Sequence, residues 1–262
     1  MNLSTINYEV RDGVGHVRFA RPEAANAVNP AFSTDLRHVM LEIEFDDAVK
    51  AVSVTAEGKV FCAGGDLKEF HNAGDGLQQL AAGMLVDFHG AIYHMNRMPK
   101  PVIAGVRGSA GGAGLSLVSA FDLVVCGESA KFTMAYTRAG VTPDGTSTYF
   151  LARHIGLRRA LDLTLTNRVL SASEAESWGL VNRVVPDDDV DAAVAEMATT
   201  MASGPSWALG HAKRILYQGY ESSLETAGEA EGALIAESMG THDGKEGIAA
   251  FVQRRTPSFD GS

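Results

Sequence analysis

Residues 6–10 (INYEV) and 14–19 (VGHVRF) alternate apolar and polar positions and are rich in β-branched residues. Side chains of a strand point to alternate faces, so this spacing predicts a strand pair turning at Asp12-Gly13. Asn29-Pro30 then opens a helix, with Asn as the cap and Pro at the first helical position. Phe32, Leu36, Val39 and Ile43 recur at helical spacing and mark its buried face. Short apolar runs follow at 51–58 (AVSVTAEG), 101–108 (PVIAGVRG) and 121–127 (FDLVVCG), and they read as buried strands. Helical periodicity lies between them at 76–97 and 111–119, and VNRVVP (181–186) reads as the last strand of the core. Strands alternating with helices predict an α/β core with parallel pairing. After Pro186 the segments 187–202, 205–220, 221–239 and 243–254 all carry helical patterns. Two regions are therefore expected: an α/β core over 1–187 that holds the active site, and a helical region over 188–262. The second has apolar faces that need covering, which suits oligomerisation.

Composition narrows the function. The chain has 262 residues, 45% hydrophobic and 21% charged, an ordinary globular balance that can bury a sizeable core. A net charge of −10 argues against nucleic acid as a partner, since phosphate backbones call for a positive surface. It leaves room for a small anionic ligand held by a few local cations. Cys62 and Cys126 form no disulfide framework and no metal spacing, so a reduced, cytoplasmic protein is expected. Cys62 is expected to be a buried small hydrophobe. The eight histidines show no ligand spacing, so no metal is expected. No secretory pattern opens the chain, and its apolar runs fall short of the roughly 20 residues a membrane helix needs. Asp187, Asp188 and Asp189 are expected to cap the following helix.

Two glycine-rich stretches share one design: VFCAGGDLKEF (60–70) and GVRGSAGGAGLSL (105–117). Each leaves an apolar strand, passes through small residues and enters a helix. Glycine lets a ligand approach the backbone, and a helix start offers unpaired N–H groups and positive partial charge. If the two stretches converge, they can hold a developing oxyanion; if they do not, the glycines serve strand–helix packing alone. A dinucleotide fingerprint fails on spacing, because its third glycine would fall at Leu117, and no G-K-[ST] follows either stretch. Asp144, in Pro143-Asp144-Gly145, has the residue order of a tight turn.

These motifs, together with RPEAANAVN (21–29), LSASEAESWGLVNRVVP (170–186) and FVQRRTPSF (251–259), resemble the crotonase (enoyl-CoA hydratase/isomerase) superfamily. The resemblance covers nearly the whole chain. It implies a spiral of repeated β-β-α units with a C-terminal helical region, and homotrimers or dimers of trimers. It also implies acyl-CoA thioester substrates, with no cofactor beyond the coenzyme A of the substrate itself. By the same resemblance the oxyanion donors are the backbone N–H groups of Gly65 and Ala113. Ala63, Asp66, Leu67, Lys68 and Gly112 line the path of substrate and CoA. Phe251 and Arg254 match C-terminal positions that, in relatives, contact the nucleotide end of CoA across a subunit boundary. Relatives usually carry a basic residue just before the Asn26 motif, where this chain has Ala24 and Ala25.

The resemblance also bears on the reaction. Hydration of a double bond needs an acid and a base on one face, supplied in family hydratases by two glutamates. Their positions here are Ser116 and Tyr136, and neither is a carboxylate. Asp144 lies eight residues beyond Tyr136. That is where dienoyl-CoA isomerases and isomerases of phenylacetate catabolism place a catalytic aspartate, and where an aryl-CoA dehalogenase branch places a nucleophilic one. A single carboxylate suffices to move a proton between two carbons of a thioester enolate. The expected function is a double-bond shift in an acyl-CoA with Asp144 as acid and base. Hydration or another CoA-ester lyase reaction is one alternative; a non-catalytic oligomeric acyl-CoA binder is another. No proton transfer is assigned to Ser116, and Tyr136 is read either as pocket lining or as a hydrogen-bond partner of the substrate. Residues 71–90 are expected to shape the acyl pocket.

Overall fold

The computed structural model describes residues 2–262. β1 (Ile6–Arg11) and β2 (Val14–Phe19) pair antiparallel around Asp12 and Gly13, both at positive φ. α1 (Pro30–Phe45) starts as expected: the Asn29 side chain accepts from the Phe32 N–H, and Pro30 takes the first position. At its other end the Lys100 ammonium donates to the carbonyls of Ile43 and Asp46, where the helix dipole favours a cation. The chain continues through β3 (Ala51–Ala56), α2 (Leu67–Asn72), α3 (Leu77–Arg97), β4 (Val102–Val106), β5 (Ser109–Gly111), α4 (Ala113–Ala120), β6 (Leu123–Gly127) and β7 (Lys131–Thr133). Then come α5 (Ser147–Ile155), α6 (Leu157–Thr166), β8 (Leu170–Ser171), α7 (Ala172–Trp178), β9 (Arg183–Val185), α8 (Val190–Ala202), α9 (Ser206–Gly219), α10 (Leu224–Gly240) and α11 (His242–Gln253).

Six strands form one sheet in the order β1-β2-β3-β4-β6-β9, parallel from β2 onward. β5, β7 and β8 form a second, small sheet. The units β4–β5–α4 and β6–β7–α5 each send one strand to each sheet before their helix, which makes the chain a spiral of β-β-α turns. The strands of the small sheet have two or three residues each, too few for an alternation pattern to register.

Both faces of the large sheet are covered. Val52, Val54, Val102, Ala104, Val124 and Cys126 face the main core with Phe32, Leu36, Phe88 and Ile92 from α1 and α3. Ala51, Ile103 and Val125 face a second core made with Val190, Ala193, Val194 and Ala198 of α8. The approach of α8 is close: a Cβ on Gly105 would lie 2.9 Å from Val194 Cγ2. α8 is thus the sheet's second cover, although the composition changes at Pro186. The expected capping by the aspartates is not made. Asp187–Asp189 form a short 3-10 turn, Asp189 makes no side-chain cap bond, and Asp187 instead accepts from the Ser129 N–H at 3.0 Å. α9 is anchored by the buried Lys213, whose ammonium pairs with Asp122 at 2.7 Å and donates to the Met95 and Lys100 carbonyls. α10 buries none of its residues.

Candidate active site

Residues 21–29 build one wall of the site. Asn26 is fully buried at positive φ; its amide donates to the Glu57 and Val60 carbonyls and its oxygen accepts from the Arg21 N–H. Arg21 donates to the Ala27 carbonyl at 2.7 Å and pairs with Asp66 at 3.1 Å. Val28 then pairs with the first glycine stretch: its N–H donates to Gly64 O, and Asp66 N–H donates back to Val28 O. Successive peptide groups of an extended chain point to opposite sides. The Gly65 N–H between those two bonds is therefore turned away from Val28, and among the described residues it meets no backbone acceptor.

The second glycine stretch is stitched to the first. Cys62 N–H donates to Ser109 O, and Gly111 N–H donates back to Cys62 O. The contact leaves no room for side chains: a Cβ on Gly114 would lie 2.2 Å from the Cys62 carbonyl oxygen. Gly112, at φ +50° and ψ −121°, turns the chain into α4, so that Ala113 is its first residue. A first-turn N–H has no intrahelical partner, and Ala113 N–H is one of these. Complete burial pushes the Cys62 thiol up to about 12, which keeps it a protonated packing group beside the site.

Gly65 and Ala113 both line one cavity of about 490 Å³, and Asp144 lines it too. The remaining walls are mostly apolar: Leu67, Phe70, Met84, Phe88 and Val141 among others. Among the described residues, Asp144 is the only carboxylate in the lining. Its loop is held on three sides. The Asp144 carbonyl accepts from Ser147 Oγ (2.8 Å) and the Ser147 N–H (3.2 Å) and lies 2.9 Å from Ser116 Oγ, and the next amide, Gly145 N–H, donates to His89 Nε2 at 3.2 Å. Tyr136 donates its hydroxyl to Asp144 Oδ1, and Ser116 Oγ lies 2.8 Å from the same hydroxyl. Burial, followed by the Asp144 charge, raises the Tyr136 phenol well above its ordinary range, so it remains a donor.

The structure thus gathers Ala63, Gly65, Leu67, Gly112, Ala113, Tyr136 and Asp144 around one space. Ser116 stands just behind it, fully buried. Asp66 is turned to Arg21 and to the N–H of Glu69, where it caps α2. Lys68 is exposed on α2 and is not part of the lining. Phe251 and Arg254 lie at the end of α11, away from this cavity, with Phe251 86% exposed. Sequence reasoning missed Arg21, Ser147 and the bond that His89 accepts from Gly145. Arg21 opens the quoted RPEAANAVN motif and Ser147 follows Asp144 by three residues, so both could have been suspected; the His89 contact joins segments 56 residues apart, which no local pattern encodes.

Residues 9–262 match the family described as enoyl-CoA hydratase/isomerase. The chain belongs to that family. It is 35% identical over 254 residues to 4-chlorobenzoyl coenzyme A dehalogenase-2 of an Arthrobacter species, covering 97% of this chain and 92% of the relative. It is 32% identical over 254 residues to the 1,2-epoxyphenylacetyl-CoA isomerase of Escherichia coli K12, covering 96% and 97%. Among solved structures, an enoyl-CoA hydratase from Polaromonas sp. JS666 superposes with a TM-score of 0.93 at 30% identity, covering 97% of this chain and 99% of that one. The crotonase-type fold expected from the motifs is the fold observed.

Proposed function

We propose that this enoyl-CoA hydratase/isomerase family member shifts a double bond in an acyl-CoA thioester, with Asp144 carrying the proton. The observation that carries this reading is that Gly65, Ala113 and Asp144 border one largely apolar cavity. In this reading the thioester oxygen sits between the Gly65 and Ala113 N–H groups, which stabilise the enolate by a few kcal/mol each. Asp144 takes a proton from one carbon of the acyl chain and returns it to another carbon of the extended enolate. The two hydratase-glutamate positions support the choice of reaction. Ser116 and Tyr136 lie 2.8 Å apart and bond to each other, so neither side chain is a free acid or base for water. Phe251, Arg254 and the exposed apolar residues Leu224, Ile235 and Ile248 support a homotrimer or dimer of trimers that covers the C-terminal helices.

The test is a pair of absorbance assays on CoA thioesters of unsaturated acids. A 3-enoyl-CoA should gain the conjugated absorbance of the 2-enoyl ester. A trans-2-enoyl-CoA that loses this absorbance without forming an isomer would establish hydration instead. A second reading is favoured by the 35% identity to relatives named 4-chlorobenzoyl-CoA dehalogenases: Asp144 attacks an aryl carbon as a nucleophile. Release of chloride from 4-chlorobenzoyl-CoA would decide for it.

A further inference from the structure

The bonds around Asp144 fix which of its oxygens is free. A phenol has one proton and a serine hydroxyl has one. Tyr136 spends its proton on Asp144 Oδ1. The Ser116–Tyr136 contact of 2.8 Å can then form only if Ser116 donates and the phenol oxygen accepts. Ser116 Oγ lies at nearly the same distance, 2.9 Å, from the Asp144 carbonyl, but that carbonyl already receives the Ser147 hydroxyl and N–H. Ser116 Oγ also lies 3.3 Å from the Gly112 carbonyl, which already accepts the Ser116 N–H; of the three oxygens it can reach, only the phenol oxygen has no other donor. Ser116 thus supports Tyr136, and Tyr136 holds Asp144.

We infer that Tyr136 and Ser116 are positioning residues: Ser116 donates to Tyr136, Tyr136 donates to Asp144 Oδ1, and this leaves Oδ2 as the oxygen that exchanges the proton with substrate. The inference rests on the isomerase reading above. The proton balance closes: Oδ2 receives the proton as the substrate C–H bond breaks, and gives it up as the new C–H bond forms. Tyr136 stays on Oδ1 throughout, because that oxygen accepts a hydrogen bond in both charge states. Holding one oxygen fixes the rotation of the carboxyl group about its last bond, which is otherwise a soft two-fold torsion. Productive geometry is sensitive at this level, since small misplacements of a reacting group cost large factors in rate.

The test is a double-mutant cycle on the intact enzyme with the 3-enoyl-CoA assay, using Tyr136→Phe, Ser116→Ala and the pair, with Asp144→Asn run alongside. Tyr136→Phe keeps the ring that packs against the core and should lower kcat about 10-fold or more with KM within about threefold. Ser116→Ala should lower kcat by a smaller factor, and that factor should largely vanish in the Tyr136→Phe background, because the serine acts through the phenol. A purely structural role would move KM or stability and would give additive effects. If Asp144→Asn is inactive while Tyr136→Phe keeps wild-type kcat, or if the two single effects multiply, the positioning inference falls and the isomerase reading stands. If Asp144→Asn keeps wild-type turnover, the isomerase reading itself falls.

Discussion

At the scale of single residues, the site depends on positions where a side chain cannot fit. A Cβ on Gly114 would lie 2.2 Å from the Cys62 carbonyl oxygen, a backbone atom that cannot turn aside. Gly114→Ala should therefore cost about 3 kcal/mol or more in urea denaturation, by forcing apart the two stretches that frame the cavity. Gly65→Ala meets the Phe70 ring at 2.6 Å, and a side chain can rotate away, so its loss in the same assay should be smaller. Both glycine stretches were legible in the sequence as helix entries. The reach of Ser116 to Tyr136 and Asp144 was not, because it joins α4 to the β7–α5 connection 20 to 28 residues further along the chain. The open choice for Tyr136, lining or a bond to substrate, resolves in part: it lines the cavity and its hydroxyl is committed to Asp144.

At the scale of elements, the long strands and helices follow from periodicity, while the small sheet does not. Lys131–Thr133 and Leu170–Ser171 become strands only because β5 and the spiral bring them together. The C-terminal tail is another product of tertiary contact. Arg255 pairs with Glu246 through two bonds of 2.6 Å, and the Ser258 N–H donates to the same carboxylate. Asp243 accepts from the Asp260 and Gly261 N–H groups, with His242 beside them, so a cluster that the histidine spacing did not suggest serves to clasp the tail. The Arg255 bonds, then the Ser258 bond, lower the Glu246 carboxyl from its ordinary value to about 2. A carboxyl lowered on folding contributes stability that is complete above its unfolded value and is lost as the pH falls through the folded one. The tail should thus loosen between about pH 4.5 and pH 2. Protection of the Ser258 amide against exchange, relative to the unfolded chain at the same pH, should fall across that window, and Glu246→Gln should lose that protection already at neutral pH. Protection unchanged down to pH 2 would show that Asp243 alone holds the tail.

For the molecule as a whole, one face of the fold is finished and another is open. The large sheet is covered on both sides, and no helix among the described residues is long and apolar enough to cross a membrane. The C-terminal helices, by contrast, leave Leu216, Leu224, Phe251 and Val252 more than two-thirds exposed. Sedimentation at micromolar concentration should give three or six chain masses, and Leu224→Glu with Phe251→Glu should shift it toward the single chain; a wild-type monomer would contradict the proposed trimer. The spiral explains how residues 65, 113 and 144 come to one place, and their meeting is the basis of the proposed chemistry. The most direct test is deuterium exchange from D2O into the acyl chain of a 3-enoyl-CoA or its conjugated isomer, followed by mass spectrometry for the wild type and Asp144→Asn. The wild type should exchange label at the carbons next to the double bond, and Asp144→Asn should do so at least about 100-fold more slowly while binding the thioester with nearly the same affinity. Exchange at the wild-type rate in Asp144→Asn would show that another group moves the proton.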